Sequence, residues 1–170
     1  MNNSKVQEDF LIAMRGITST VNVISAKLKE ECHAMTATSV ASLSLSPPAM
    51  IICVNKEASI HNILRKDKKF VINVLSNKQQ NLSELCSSSE EGESRFNDEG
   101  WVAKDEIVFN SNSVSNIICN CTGIVDHSTH SVFFGDVMQV KINNQGRALL
   151  YRCLLYTSPS PRDVEECGMD

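Results

Sequence analysis

The sequence lacks several features that would place it in a functional class at once. No apolar stretch in its 170 residues is long enough to span a bilayer, and the polar start MNNSKVQEDF has no apolar core of a signal peptide. Its 16 Lys and Arg residues form no cluster and the net charge is -4, which argues against nucleic acid or an anionic membrane surface as a partner. The seven Cys are an odd number without regular spacing, as expected of reduced thiols. We therefore expect a cytoplasmic protein that binds neither membrane nor nucleic acid.

Motifs of the common nucleotide, hydrolase and metal sites are also missing. The chain has no G-x-G-x-x-G, no Walker loop and no Ser-centred nucleophile elbow. Cys119 and Cys121 flank one residue of a predicted strand, so both thiols should face the same side and pack in the core. His127 and His130 have H-x-x-H spacing, but no further ligands for a zinc site are evident. The sequence predicts no metal site.

Helical spacing of apolar residues is confined to short segments. An amphipathic helix is predicted over residues 5–15, with Ser4 and Gln7 as a capping box. Its apolar face would carry Val6, Phe10, Ala13, Met14 and Ile17. Ser59 is predicted to cap a short helix that turns Ile60, Ile63 and Leu64 inward, and another helix is expected at about 78–86.

Apolar and β-branched runs predict most of the chain to be strands. The predicted strands are residues 20–26, the Ser/Thr-rich run from Met35 to Ser46, 49–55, 70–75, 115–126 and 131–142. Turn signals fall at 27–31 and 143–146, and residues 86–101 read as a mobile loop. This order indicates a mainly β fold with α additions, an antiparallel barrel with its helices at the margins.

The last residues differ in composition from the rest. After residue 151 the chain reads RCLLYTSPSPRDVEECGMD, which is rich in Pro and Ser and resembles translated adapter sequence or a disordered terminus. We expect one domain over residues 1–151, followed by a tail over 152–170 without a function.

The Ser/Thr-rich run is unusual for a strand. Nearly every residue from Met35 to Ser46 is small or hydroxylic and none is charged, and Pro47 and Pro48 follow. Small side chains allow another group to approach the backbone closely. Taken alone, however, Ser and Thr here would more often be ordinary strand and cap hydroxyls.

Several segments in the same order resemble the flavin reductase family. The family patterns M-T-x-x-S and S-x-S-L-x-P-P are matched by Met35, Thr36, Ser39, Ser42, Ser44, Leu45, Pro47 and Pro48. A later pattern is matched by His130, Phe133, Gly135 and Val137. The resemblance covers about residues 8–151 and implies an FMN-binding split β-barrel. Members include the reductase components of two-component flavin monooxygenases.

The resemblance also implies which residues bind the flavin. The small residues would let the isoalloxazine ring lie against the strand. Residues implied to contact the cofactor are Met35, Thr36, Ala37, Thr38, Ser39, Cys53, Val54, Asn55, Ser59 and Arg95. Arg95 would contact a dinucleotide phosphate or a partner subunit, although an Arg in an acidic loop also suits a surface ion pair.

His130 is implied to be the catalytic residue on the nicotinamide side. It precedes an apolar strand, as the family's histidine does, whereas a lone His at a strand start is more often a surface residue. The chain departs from the family here, because Ser128 and Thr129 replace the usual Gly-Asp. Ala34 likewise replaces a Gly before Met35.

The implied activity is hydride transfer from NADH or NADPH to FMN or FAD, with the reduced flavin passed to a separate oxygenase. An alternative is an FMN-binding electron-transfer or storage protein without nicotinamide turnover. A pyridoxamine-phosphate-oxidase-like enzyme would share the barrel, but its Arg/Lys-rich phosphate signatures are missing. The family's habit also implies a homodimer, with Phe96 and Trp101 as candidates to reach the partner.

Overall fold

Antiparallel strands make up about half of the residues that a computed structural model describes, which are 3–88, 92–143, 146–152 and 155–157. In chain order the elements are α1 (Asn3–Arg15), β1 (Ser19–Thr20), β2 (Asn22–Leu28), β3 (Glu31–Ala37), β4 (Val40–Leu45), β5 (Pro48–Asn55), β6 (Lys69–Val74), α2 (Gln80–Ser87), a 3₁₀ helix (Glu93–Phe96), β7 (Trp101–Lys104), β8 (Ile107–Asn110), β9 (Ser115–His127), β10 (His130–Ile142), β11 (Leu150–Arg152) and β12 (Leu155–Thr157).

One seven-stranded sheet carries the fold, in the order β3-β2-β6-β9-β10-β5-β4. Its two outermost strands are β3 and β4, so the sheet curls without closing, and the expected mainly β split barrel is confirmed. The long β9–β10 ladder has register shifts at Phe134/Gly135 and Val137/Gln139, and such bulges bend a strand pair. Gly135 is required by close approach, since a Cβ there would lie 2.5 Å from the Phe70 ring.

Apolar side chains fill both faces of the sheet near its centre. Ile24, Ile52, Phe70 and Phe133 are fully buried in the main core, together with Cys119 and Cys121. A second cluster on the other face contains Val21, Val23, Leu75, Leu82 and Leu149. Strand β2 serves both clusters because successive side chains point to opposite faces. The predicted core position of both cysteines is confirmed.

Buried amides anchor the β7–β8 hairpin to the sheet. The side-chain oxygen of Asn73 accepts hydrogen bonds from the Asn110 backbone at 2.8 Å and from Nδ2 of Asn116 at 2.9 Å. The Asn73 amide donates to Ser25 Oγ at 2.9 Å, and Gln79 Nε2 donates to Asn110 Oδ1 at 3.0 Å. Because buried polar groups that are all satisfied hold one arrangement, this network fixes the hairpin and the start of α2 relative to the sheet.

Two of the three predicted helices are present in the structure. The first is confirmed as α1, although Ser4 lies inside it rather than before it. Its apolar face is not packed on the core: Phe10 and Ile12 are 61% and 66% exposed. The helix at 78–86 is confirmed as α2, with Leu82 buried.

The helix expected after Ser59 does not form. The chain instead makes successive turns, with bonds from Ala58 N to Asn55 O and from His61 N to Ala58 O, each near 3 Å. The Asn55 side chain accepts from Glu57 N at 3.0 Å, and such local bonds compete with a helix. Ile60 and Leu64 are nevertheless buried, as predicted, because the turns still fold over the core.

The strand predictions hold except in two places. The Ser/Thr-rich run is divided into β3, which pairs with β2, and β4, which pairs with β5. The β7–β8 hairpin and the 3₁₀ helix lie partly or wholly where a loop was predicted. Residues 89–91 of that loop and residues 144 and 145 of the predicted turn lie outside the described residues.

Strand pairing continues beyond residue 151. Strand β12 pairs with β11, with Leu155 opposite Arg152. Residues 158–170 lie outside the described residues, so a domain boundary near 151 stays a prediction.

Candidate functional site

A cavity of about 320 Å³ lies where β3, the turn after β5 and the C-terminal end of α2 meet. It is lined by Met35, Thr36, Glu57, Ala58, Ser59, Cys86, Ser87, Ser88 and Arg95. The fold therefore brings together Met35, Thr36, Ser59 and Arg95, four of the predicted cofactor residues that are far apart in sequence. Most of the lining side chains are small, which leaves room for a flat ligand beside the strand.

The end of β3 is held against α2 by a side chain. The Thr36 hydroxyl donates to the carbonyl of Ser83 at 2.6 Å, so its proton is already engaged. Ala37 is only 7% exposed and belongs to the main core. Thr38 is half-buried and lines a neighbouring cavity of about 240 Å³, which also contains Thr36 and Ser87. Of these predicted contacts, Thr36 and Thr38 both line a cavity, whereas Ala37 is enclosed by the core.

The second predicted flavin segment begins beside this point. The amide of Cys53 donates to the carbonyl of Ser39 at 3.0 Å, which places the break between β3 and β4 against β5. Val54 is fully buried in the core, so its side chain faces away from the cavity. Ser59 is exposed at the cavity, but no helix begins there, so the prediction that it caps a helix is wrong.

Arg95 is a buried cation without an acidic partner in the described part of the chain. It is 7% exposed, and its Nη1 donates to Ala34 O at 2.7 Å while Nη2 donates to Ser88 O. Its Nε is buried and bonds to none of the described residues. The Trp101 indole donates to the Arg95 carbonyl at 2.9 Å and fixes the backbone. Since an unpaired buried charge is costly, this guanidinium favours an anion in the cavity.

Cys86 lines the cavity as a neutral thiol. Burial raises the pKa of Cys86 to about 12, and this effect outweighs the nearby Arg95 charge, which lowers it. A thiol protonated at neutral pH is a poor nucleophile, so this residue shapes the cavity rather than reacting in it.

His130 does not line the cavity. It is exposed at the start of β10, where its register partners are His127 on β9 and Asn55 on β5. Its Nδ1 lies 2.9 Å from the Thr129 hydroxyl. The backbone amide of Lys56 donates to Thr129 O at 3.0 Å, so the β9–β10 turn is tied to the turn that carries Ser59.

Sequence reasoning missed a polar cluster beside His130. The buried Ser131 hydroxyl donates to Asp126 Oδ1 at 2.6 Å and lies 2.8 Å from Nε2 of His61. That bond, then the Lys56 ammonium at 3.6 Å, lowers the pKa of Asp126. The Asp126 carboxylate is thus held by Ser131, the residue after His130, and because successive side chains of a strand alternate it lies on the opposite face from His130. Only the strand pairing brings these residues together, and no spacing in the sequence signals it.

The described residues contain neither a membrane-spanning helix nor a cluster of metal ligands. Within the described ranges, no helix is long and apolar enough to cross a membrane. Among those same residues, no group of three or more His, Cys, Asp or Glu side chains could hold a metal ion.

An open antiparallel barrel, with a cavity beside the break between β3 and β4, defines a split-barrel protein. Residues 14–157 match the model of the flavin reductase like domain, and the chain belongs to that family.

The sequence is similar to two curated proteins over most of its own length and most of theirs. The sequence is 31% identical over 159 residues to the reductase component of the FADH(2)-dependent resorcinol hydroxylase of Rhizobium sp. (strain MTP-10005), covering 92% of this chain and 89% of that one. It is 27% identical over 147 residues to the FMN reductase (NADH) RutF of Serratia proteamaculans (strain 568), covering 85% and 83%.

Solved structures show the same fold. The Streptomyces globisporus C-1027 NADH:FAD oxidoreductase SgcE6, in complex with NAD and FAD fragments, superposes with a TM-score of 0.84 at 23% identity, covering 92% of this chain and 94% of that one. A flavin reductase domain protein from Arthrobacter sp. FB24 gives a TM-score of 0.84 at 21% identity, covering 91% and 96%.

Proposed function

We propose that the protein is an NAD(P)H:flavin oxidoreductase that reduces FMN or FAD and releases the reduced flavin to a separate monooxygenase component. The observation that carries this proposal is the buried Arg95, which has no acidic partner among the described residues, in a cavity lined mostly by small side chains. The family and the names of the two curated relatives support the same activity.

The residues of the cavity fit a flavin. Arg95 would hold a phosphate through its Nε, which bonds to none of the described residues, and Ser59 lines the same cavity with its hydroxyl. Thr38 and Ser39 lie outside both β3 and β4, so their amides are candidates to donate to the carbonyl edge of the ring. When bound, the flavin supplies the acceptor for the nicotinamide's hydride, which leaves oxidised nicotinamide and reduced flavin as products.

His130 would contact the nicotinamide side. It is joined to the cavity through Asn55 and the Lys56–Thr129 bond rather than by lining the cavity. Its exposure also suits the second candidate function, an FMN-binding electron-transfer or storage protein that does not turn over nicotinamide.

One experiment separates the two functions. We expect the purified protein with added FMN to oxidise NADH or NADPH, measured by loss of nicotinamide absorbance. A flavin-bound protein that survives gel filtration and oxidises neither nucleotide would instead support storage. Absorbance spectra of the flavin recorded with and without oxygen show whether reduced flavin accumulates free in solution. Free reduced flavin is what supply to a second enzyme requires.

A homodimer built through α1 is the assembly that the exposed surface favours. Val6, Phe10, Leu11, Ile12 and Met14 are each 45–66% exposed on this helix of 13 residues. An isolated helix of that length is marginal in water, so a second copy packed on it would stabilise both helices. Phe96 and Trp101 instead pack on each other at 4.8 Å and on the second cluster of their own chain.

Sedimentation tests this assembly. We expect wild type to be dimeric at micromolar concentration, Phe10→Asp with Ile12→Asp to be monomeric, and Gln7→Asp to remain dimeric as the control. A monomeric wild type contradicts the proposal.

A further inference from the structure

One wall of the cavity is formed by a segment without regular secondary structure. Residues 56–63 make successive turns, and three of them, Glu57, Ala58 and Ser59, line the cavity. Ile60, which follows them, is fully buried in the main core. Because apolar packing is non-directional, burial of Ile60 holds the segment on the core without setting where its cavity residues lie. Directional contacts at the two ends of the segment have to set that position.

The first end of the segment is fixed by Lys56. Its backbone amide donates to the carbonyl of Thr129 at 3.0 Å, and its ammonium lies 3.6 Å from Oδ2 of Asp126. The side chains of Lys56 and Asp126 are 37% and 67% exposed, and an ion pair in such contact with water contributes little. The backbone hydrogen bond is therefore the main tie at this end.

The second end of the segment is fixed by His61. Its Nε2 lies 2.8 Å from the hydroxyl of Ser131, and its ring packs edge-on against Phe133 with the centroids 5.4 Å apart. Ser131 and Phe133 are both fully buried, so they offer the imidazole a rigid seat. The backbone amide of His61 donates to the carbonyl of Ala58 at 2.9 Å. A displacement of the imidazole is therefore passed to a cavity residue within one turn of chain.

The hydrogen bonds at this end form a chain with one direction. The Ser131 hydroxyl has a single proton, which it donates to Oδ1 of Asp126 at 2.6 Å, so its oxygen accepts from Nε2 of His61. A charged acceptor strengthens a hydrogen bond, and bonds in a chain polarise one another. The Asp126 carboxylate thus serves both ends of the segment: Oδ1 holds His61 through Ser131, and Oδ2 faces Lys56.

We propose that Asp126 is a positioning residue for the cavity, although it does not line it. Through Ser131 and His61 it holds the cavity wall at residues 57–59 in the arrangement that accepts the flavin. This proposal rests on the proposed function, since the ligand is that of the same cavity. Loss of the chain should weaken flavin binding and raise the KM for flavin. It should leave kcat nearly unchanged, because none of these side chains lines the cavity.

A matched pair of variants separates positioning from stability. Ser131→Ala removes two hydrogen bonds at one end of the β9–β10 ladder. Asn143→Ala removes two at the other end, where its amide donates to Ser113 O at 3.0 Å and to Asn116 Oδ1 at 2.9 Å. We expect both variants to melt at lower temperature, and only Ser131→Ala to raise the Kd for FMN, by about tenfold. An unchanged Kd in Ser131→Ala, or an equal rise in both variants, overturns the proposal.

Two substitutions of His61 separate the hydrogen bond from the shape of the ring. His61→Phe keeps an aromatic ring against Phe133 and loses the donor, so the Kd for FMN should rise about tenfold. His61→Gln keeps an amide donor at the place of Nε2 and should restore most of the affinity. Equal affinities in the two variants would show that the donor has no part in the site and would overturn the proposal.

A double-mutant cycle tests whether the residues act as one chain. Ser131→Ala combined with His61→Phe should weaken FMN no more than either change alone, because each already breaks the same chain. Additive effects overturn it. Lys56→Met removes the exposed ion pair and should change the Kd by less than about twofold. A loss as large as that of Ser131→Ala would assign the wall to the ion pair and overturn the chain through Ser131.

Hydrogen exchange of the flavin-free protein tests the positioning without any ligand. The amides of Ala58 and His61 should exchange about tenfold faster in Ser131→Ala than in wild type, and at the wild-type rate in Asn143→Ala. Unchanged exchange in Ser131→Ala overturns the proposal. Should wild type bind no flavin, the proposed function fails, and faster exchange at these two amides would still support the role of Asp126 in holding the wall.

Discussion

Arg95 and Ala34 are joined by a hydrogen bond of 2.7 Å from Nη1 of the guanidinium to the carbonyl of β3, an outermost strand of the sheet. The same side chain thus bonds to an open sheet edge and places at the cavity a positive charge that no described acidic residue pairs with. Because the backbone of Arg95 is in turn fixed by the Trp101 indole, the charge cannot swing into solvent without breaking these bonds.

Replacing Arg95 with Gln should weaken flavin binding more than it weakens the fold. Loss of a charge-assisted hydrogen bond costs about 1.5–3 kcal/mol, so we expect the Kd for FMN to rise on the order of ten- to a hundred-fold. Fluorescence titration of FMN measures this effect. Arg65→Gln, an exposed arginine outside the cavity, is the control and should bind FMN as wild type does.

Ala37 and Thr38 should respond differently to substitution although they are neighbours. Ala37 is buried in the core, so Ala37→Leu overpacks it and should cost about 1–3 kcal/mol of unfolding free energy. Thr38 is half-buried beside a cavity, so Thr38→Val should alter FMN affinity with little change in melting temperature. Thermal unfolding without flavin, together with FMN titration, checks both. Equal destabilisation by the two changes would contradict this distinction.

His130→Asn should affect turnover and not stability. The imidazole is exposed and its only side-chain hydrogen bond among the described residues is to the Thr129 hydroxyl, so the free energy of unfolding should change by less than about 0.5 kcal/mol. We expect kcat for NADH oxidation to fall while FMN affinity is retained. His127→Asn is the matched control, because His127 is the register partner across the same turn. Equal losses in both variants would remove His130 from the nicotinamide side.

Asp126 should make stability depend on acidity. The Ser131 bond and the Lys56 charge lower its pKa in the folded protein below the ordinary value of 3.8. A lowered folded pKa means that the unfolded chain binds more protons as the pH falls. The contribution of Asp126 to stability is therefore complete above the ordinary pKa of 3.8 and is lost as the pH falls through the lower folded pKa. We expect Asp126→Asn to flatten the decline in melting temperature below about pH 5. Asp98→Asn, with the same change in charge, serves as the comparison.

The fold could be read from the sequence where periodicity was strong. The alternation in 20–26 and the apolar runs at 49–55 and 70–75 predicted strands that the structure contains. The β7–β8 hairpin was missed because Trp101–Lys104 and Ile107–Asn110 are short and are held by the buried Asn73 and Asn110 rather than by an apolar pattern.

The candidate site was predicted only where a family pattern existed. Met35 and Thr36 were identified by motif, and their proximity to Ser59 and Arg95 could not be derived from spacing, because long-range strand pairing creates it. The exposure of the apolar face of α1 could not be predicted, since helical periodicity marks an apolar face and does not say which chain covers it.

The break at Thr38 and Ser39 joins the two free edges of the sheet, because β3 ends before it and β4 begins after it at opposite ends of the strand order. The barrel is therefore open between β3 and β4, and Thr38 and Ser39 are the short segment that connects these two edge strands. A ligand that contacts this connecting segment and β5 together links the two edges of the open barrel. Occupancy will consequently stabilise the protein in proportion to the logarithm of ligand concentration, and protection of the β3 and β4 amides from hydrogen exchange will rise with it.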